Sequence, residues 1–222
     1  MLLNFLTREA SRLIARLTSG NPPDLPQVER VAGRWHYSDL KWLAQKVRDV
    51  AGEFAEIGVF RGYAFRKLAE LAAEQHKLAH AFDSFAGMGE PGPEDGTQFP
   101  RGKFDIGGAA EFVRLMDEAG VRLDLYKLWV GFVPACFEQV PADLRFSFAI
   151  VDLDHYRPTA IALEWIAPRI SPGGILALDD FIPGETGIAT RAIREFLAAD
   201  HDFEKLSCIN HQLVLRRLPS RA

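Results

Sequence analysis

Two apolar runs in this chain end abruptly in carboxylates. FSFAIV leads straight into Asp152-Leu153-Asp154-His155-Tyr156, and GILAL leads into Asp179-Asp180. Side chains alternate along an extended chain, so Asp152 and Asp154 are expected on one side of it. If the two runs are neighbouring strands, about 4.8 Å apart, their ends crowd several carboxylates together. Clustered anions beside an apolar core are costly unless some hold protons or a cation sits among them. Oxygen-only ligands suit magnesium, calcium or manganese rather than zinc or copper. The plainer alternative, acids that cap helices and turns separately, explains the grouping less well. His155 lies inside the acidic motif, where it would orient a carboxylate or act as a base. The other histidines (His36, His76, His80, His201 and His211) share no ligand-like spacing.

A second group of residues points to a nucleotide-like ligand. Glu56-Ile57-Gly58-Val59-Phe60-Arg61-Gly62 sits where a strand gives way to a helix. Gly58 permits a tight turn close to a ligand, and Gly62 permits close packing of the helix. Asp83 follows 25 residues after Gly58, at the end of AHAFD. An acid there accepts hydrogen bonds from ribose hydroxyls, which implies an adenosine-containing ligand. The turn lacks the third glycine with which a dinucleotide fingerprint cradles a pyrophosphate. That absence disfavours a nicotinamide cofactor relative to S-adenosylmethionine.

The elements that must position these residues follow from periodicity. From Ser38, a plausible N-cap, SDLKWLAQKVRDV reads as a helix. Strands are then expected at EFAEIGV, AHAFD, LYKLWV, FSFAIVD and GILALDD, with FEKLSCI and QLVLRRL as a closing antiparallel pair. Helices are expected at YAFRKLAELAAEQ, GGAAEFVRLMDEAG, RPTAIALEWIAPRI and TRAIREFLAAD, with a short one at PACFEQV. This alternation predicts an α/β fold: a doubly wound, mostly parallel seven-stranded sheet with helices on both faces. Ser84 to Gly108 is rich in Gly and Pro, too long for a simple connection, and placed at the carboxyl edge of the sheet; a mobile lid is expected there.

Composition narrows the classes. With 222 residues, 48% hydrophobic and 25% charged, the chain suits one globular domain at residues 38–222. Residues 1–37 form an N-terminal helix and a proline-rich connector, expected as an acceptor lid or dimer contact. A net charge of −4 leaves no footprint for nucleic acid or anionic lipid, so a small molecule is the expected partner. Cys136 and Cys208 are isolated, which suits a reduced, cytoplasmic setting. The leucines of the N-terminal segment are interrupted by Arg8, Glu9, Arg12 and Arg16, so neither a signal peptide nor a membrane span is expected. An amphipathic helix packing on the core or on a second subunit is, and with it a possible homodimer. No GxSxG, P-loop or Cys/His nucleophile arrangement is present.

Taken in order, EIGVFRG, FDSFAGM, VGFVPACFEQVP, DLDHYRPT and SPGGILALDDF resemble the macrocin-type O-methyltransferases, a branch of the class I S-adenosylmethionine-dependent methyltransferases. The resemblance implies that Glu56, Gly58, Val59, Arg61 and Gly62 hold the methionine part of the cofactor. It implies Asp83 as the ribose acid, with Ser84 and Phe85 beside the adenosine. Asp152, Asp179 and Asp180 are the implied magnesium ligands, and Asp152 also borders the cofactor. Tyr63 and His155 depart from the family pattern, at a usual glycine and a usual aliphatic residue. Methyl transfer is an in-line displacement at a sulfonium carbon, and Asp152, Asp154 or His155 would take the acceptor proton. The implied acceptor is a sugar or natural-product hydroxyl, with a phenol or catechol second. Two rivals are a nicotinamide-dependent oxidoreductase and a non-catalytic binding protein on the same fold.

Overall fold

The computed structural model describes residues 37–182, 187–199, 202–209 and 211–219. The expectations for residues 1–36, the N-terminal helix and connector among them, lie outside the described residues. Seven strands form one sheet: β1 (Glu53–Ile57), β2 (Ala79–Asp83), β3 (Tyr126–Val130), β4 (Phe146–Val151), β5 (Ile170–Leu178), β6 (Phe203–Ile209) and β7 (Gln212–Arg217). Their spatial order is β3-β2-β1-β4-β5-β7-β6. β1 to β5 pair in parallel, while β7 pairs antiparallel with both β5 and β6. The helices among the described residues are α1 (Tyr37–Lys46), α2 (Phe65–Ala73), α3 (Ala109–Glu118), α4 (Tyr156–Ile166) and α5 (Ile188–Ala198).

Two apolar layers cover the two faces of the sheet. Phe54, Phe148 and Ile150 point into the layer that α1, α2 and α3 close with Leu43, Leu68 and Phe112. Ile57, Phe82 and Phe146 point into the layer closed by Leu163 and Ile166 of α4 and Ile193 of α5. β4 is buried at all six positions, as a central parallel strand covered on both faces must be. Within the second layer Phe137 and Trp165 stack with ring centroids 4.0 Å apart. His80 is buried there too, its Nδ1 accepting a 3.0 Å hydrogen bond from Trp129 Nε1.

Three local expectations are revised. PACFEQV yields a single 3₁₀ turn, Ala135–Phe137, rather than a regular helix. Ser38 lies within α1 rather than capping it. RPTAIALEWIAPRI ends its regular helix at Ile166, and Ala167–Arg169 form a 3₁₀ turn around Pro168, whose missing N–H disfavours continuation.

The segment Ser84–Gly108 has backbone order of its own. Ala86 bridges Asp105, Met88 N donates to Lys103 O (2.7 Å), and Gly102 N donates to Met88 O (2.9 Å). Its two limbs thus pair as a folded flap over the carboxyl ends of the strands.

Candidate active site

The site is built from the residues just past the strand ends. The ladder runs on there: Gly58 N donates to Phe82 O, Asp152 N to Ile57 O, Asp179 N to Val151 O and Gly131 N to Asp83 O, each at 2.9 Å. Gly58 has φ +86°, and a Cβ placed on it would lie 1.7 Å from the carbonyl oxygen of Asp152. This glycine therefore makes room for the β4 terminus. Gly62 (φ +77°) admits the Met116 side chain of α3, which a Cβ would meet at 2.3 Å.

Asp83 organises the turn. Its Oδ2 accepts the amides of Val59 (2.7 Å) and Phe60 (2.9 Å), and its Oδ1 accepts that of Phe85 (2.7 Å). Phe60 and Phe85 both sit in the left-handed region (φ 50° and 55°), an uncommon conformation for bulky residues. The carboxylate offsets that strain by binding both of their amides. Of about four acceptor positions on a carboxylate, three are occupied, leaving room for one outside hydroxyl rather than two.

Beside this turn lies a carboxylate cluster. Asp152, Asp154 and Asp180 each present an oxygen, and these oxygens all lie within 4.8 Å of one another. The sequence reading grouped Asp152 with Asp179 and Asp180; the geometry brings Asp154 into the triad, with Asp179 buried next to it. Asp154 is not the extended residue expected from strand alternation. The strand ends at Val151, and Asp154 is left-handed (φ 57°), which turns its carboxyl toward Asp180. Asp180 is left-handed as well (φ 56°). Thr190 of α5 holds it there: its Oγ1 donates to Asp180 O (2.5 Å) and accepts from Ile182 N (3.0 Å). Phe181 N donates to His211 O (2.8 Å), tying the same turn to the β6–β7 hairpin.

The electrostatics follow from crowding. Burial first, then repulsion by Asp180 and Asp179, pushes the Asp154 carboxyl up to about 8; Lys103 opposes this weakly. Burial and then Asp180 push Asp179 up to about 6. Asp152 is held well above the usual carboxylate range by burial and then by Asp179, Asp180, Asp154 and Glu56. Glu56 is raised by burial, then by Asp83 and Asp179. Glu56 Oε2, Asp179 Oδ1 and Asp180 Oδ2 are buried with no hydrogen-bond partner among the described residues. Three such acceptors gathered at one strand edge call for an explanation, and a bound cation or ligand group would supply one.

A cavity of 1180 Å³ opens above the cluster. Glu56, Gly58, Val59, Asp83, Ser84, Asp152, Asp154, His155, Asp179 and Asp180 line it. Arg61, Gly62 and Phe85 do not: Arg61 points to solvent, and Phe85 packs against Phe112 at 4.7 Å. Sequence reasoning missed several lining residues: Phe60, Tyr63 and Phe104 on one rim, Phe132 on another, and Asp95 of the flap. Phe132 lies in VGFVPACFEQVP, a motif whose order was noticed but whose position at the end of β3 carries its meaning. His155 is buried, and both ring nitrogens face the flap. Its Nε2 is 2.9 Å from Phe99 O, and its Nδ1 is 3.8 Å from Asp95 Oδ2.

The strand order, the glycine turn and the acids at the strand ends define a class I methyltransferase fold. Residues 55–181, more than half the chain, match the family described as a methyltransferase domain, and the chain belongs to that family. The order of its motifs is the one that carried the resemblance to the macrocin-type O-methyltransferases, and the relatives it is similar to include O-methyltransferases. It is 28% identical over 170 residues to the 8-demethyl-8-(2,3-dimethoxy-alpha-L-rhamnosyl)-tetracenomycin-C 4'-O-methyltransferase of Streptomyces olivaceus. That match covers 71% of this chain and 65% of the relative, so it spans less than two thirds of that enzyme. The crystal structure of CalS11, a calicheamicin methyltransferase, superposes with a TM-score of 0.67 at 25% identity, covering 94% of this chain and 91% of that one. TomG of Streptomyces achromogenes, solved with S-adenosylmethionine, shares the fold at 17% identity and a TM-score of 0.58, over 95% of this chain and 87% of its own.

Proposed function

We propose that the protein transfers a methyl group from S-adenosylmethionine to a hydroxyl of a sugar, of the rhamnose kind, on a natural product or its precursor, with the help of a divalent cation. The observation that carries this reading is the joint edge of the sheet, where an Asp83-braced glycine turn and a carboxylate triad open into one cavity. At 1180 Å³ the cavity exceeds the range of about 300–1,000 Å³ usual for one small ligand, which suits a cofactor and an acceptor together. The sugar class rests on the two relatives whose names carry a rhamnosyl group or TDP-rhamnose.

The roles follow from position. Glu56 Oε2, buried and unpartnered, receives the ammonium of the methionine portion. Asp83 fixes the turn and offers its remaining acceptor position to a ribose hydroxyl. Phe132 and the chain after it give an apolar wall to the adenine. The donor set fits a hard cation: the triad is all oxygen, and buried acceptors beside it have no donor. Asp152, Asp154 and Asp180 would hold magnesium, with Asp179 close behind; when bound, it would supply Lewis-acid lowering of the acceptor hydroxyl's pKa. Asp152, Asp154 and His155 line the cavity beside the triad, and one of them takes the acceptor proton. The flap excludes water from the reaction.

Calorimetry with S-adenosylhomocysteine, followed by a radiolabelled methyl-transfer assay on a rhamnosylated acceptor with and without chelator, tests the reading. Binding of the cofactor product, with turnover that chelator abolishes, is expected. Tight binding of NADH in its place would overturn the assignment.

A further inference from the structure

His155 stands inside the acidic motif, and the structure shows what the histidine touches there. It follows Asp152-Leu153-Asp154 and precedes α4, at the point where the acidic turn meets the flap. Its Nε2 faces a carbonyl, Phe99 O at 2.9 Å, and therefore donates. The Phe99 ring lies edge-on to the imidazole, with centroids 6.2 Å apart. On the other side stands Asp95, 2% exposed, which accepts two hydrogen bonds and faces the imidazole. Its Oδ1 accepts from Tyr156 N (2.7 Å) at the start of α4, its Oδ2 accepts from Gly92 N (2.7 Å) within the flap, and the same Oδ2 lies 3.8 Å from His155 Nδ1. A buried carboxylate on a long Gly- and Pro-rich segment is uncommon, and here every contact it makes joins that segment to the α4 start or folds it back on itself.

We propose that Asp95 and His155 are positioning residues that clasp the Ser84–Gly108 flap to the Asp152–Asp154 turn, so that closing the flap and setting Asp154 against Asp152 and Asp180 are one event. Asp154 is the only residue between Leu153 and the clasped His155, and it is held left-handed. With His155 pinned by the flap at one end and β4 fixed at the other, Asp154 keeps that conformation and aims its carboxyl into the triad. With the clasp open, the turn relaxes toward the commoner right-handed or extended regions and the carboxyl swings away. The clasp itself stands on the contacts above; only its consequence for turnover rests on the methyl-transfer reading.

The exchange test uses the whole chain without any ligand. Hydrogen exchange of the flap amides is compared for the wild type, His155→Leu, His155→Gln and Asp95→Asn. His155→Leu keeps a buried side chain of similar bulk but removes the hydrogen bond to Phe99 O and the imidazole that faces Asp95, so flap exchange should accelerate about tenfold or more. His155→Gln retains an N–H for Phe99 O and should restore most of the protection, and Asp95→Asn should fall between the two. Exchange in β1, β4 and β5 should stay unchanged. Calorimetric titration with manganese should show weaker binding to His155→Leu than to His155→Gln, which a purely structural histidine would not produce. Unchanged flap exchange in both His155→Leu and Asp95→Asn overturns the proposal. So does equal acceleration in the sheet, which would make His155 an ordinary core residue. If His155→Leu does not fold, the Asp95→Asn and His155→Gln pair decides by the same readout. Failure to bind cofactor with a normal clasp would instead count against the methyl-transfer reading alone.

Discussion

Replacing Asp154 with asparagine should stabilise the metal-free protein and destabilise it, relative to wild type, when magnesium is present. The magnitude follows from the triad. Two unit charges 4.8 Å apart repel by about 3.5 kcal/mol at an effective dielectric constant of about 20. That figure is a ceiling, because burial and repulsion already raise these carboxyls and keep part of the charge protonated; Asp154 stands at about 8. Relief of about 1–2 kcal/mol is a reasonable remainder, and at about 2–4 °C per kcal/mol it raises the metal-free melting point by about 2–8 °C. Magnesium at a hundred times its dissociation constant stabilises the wild type by about 2.7 kcal/mol, and the variant has lost a charged ligand for it. The order of melting points should therefore invert on adding the ion. Differential scanning calorimetry with chelator and with excess magnesium measures both terms. A wild-type melting point that ignores magnesium, with Asp154→Asn melting higher in both buffers, would refute the cation site while leaving the cofactor turn untouched.

Three further outcomes are expected. Gly58→Ala should cost about 3 kcal/mol or more in urea unfolding, because φ is +86° and the added Cβ would lie 1.7 Å from Asp152 O; a loss below 1 kcal/mol would mean that the turn gives way easily. His80, lowered to about 4 mainly by burial, binds its proton later in the folded than in the unfolded chain. Its contribution is thus present above about pH 6.5 and lost as pH falls toward 4, up to roughly 3 kcal/mol in all. His80→Gln, which keeps an acceptor for Trp129 Nε1, should flatten that slope relative to wild type, and an unaltered slope would show that His80 does not titrate there. Tryptic cleavage after the flap residues Arg101 and Lys103 should slow when S-adenosylhomocysteine binds, and equal rates with and without it would show that the flap does not respond to the cofactor.

The sheet was legible because its strands announce themselves. FSFAIV reads as a strand covered on both faces, and β4 is buried at every position. The acids were legible because each follows such a run without a break. What the sequence hid depends on backbone sign and on distant partners. Alternation placed Asp154 beside Asp152 on an extended chain, and it does stand there, but a left-handed conformation at Asp154 is what also brings it to Asp180. Asp83 read as a free acid because nothing local reveals that the amides of Val59, Phe60 and Phe85 converge on it. Asp95 sits in GEPGPEDG, a stretch with no periodicity, and its partners Gly92 and Tyr156 include one 61 positions away.

These hidden features share one physical cause. Parallel strands end together at one edge, so the residues just past them bring several unpaired amides and carboxylates into a small volume. Each must find a partner or carry the cost of burial. Asp83 resolves this by accepting amides from its own edge, and Asp95 resolves it by accepting one from α4 and one from the flap. Glu56, Asp179 and Asp180 each keep a buried oxygen without a donor among the described residues, and burial, joined by like charges at Glu56, Asp152, Asp154 and Asp179, raises the carboxyls of all five acids at this edge. The division is by location. Acids that face backbone amides brace the site, and acids that face each other across the cavity are left to be satisfied by what binds there.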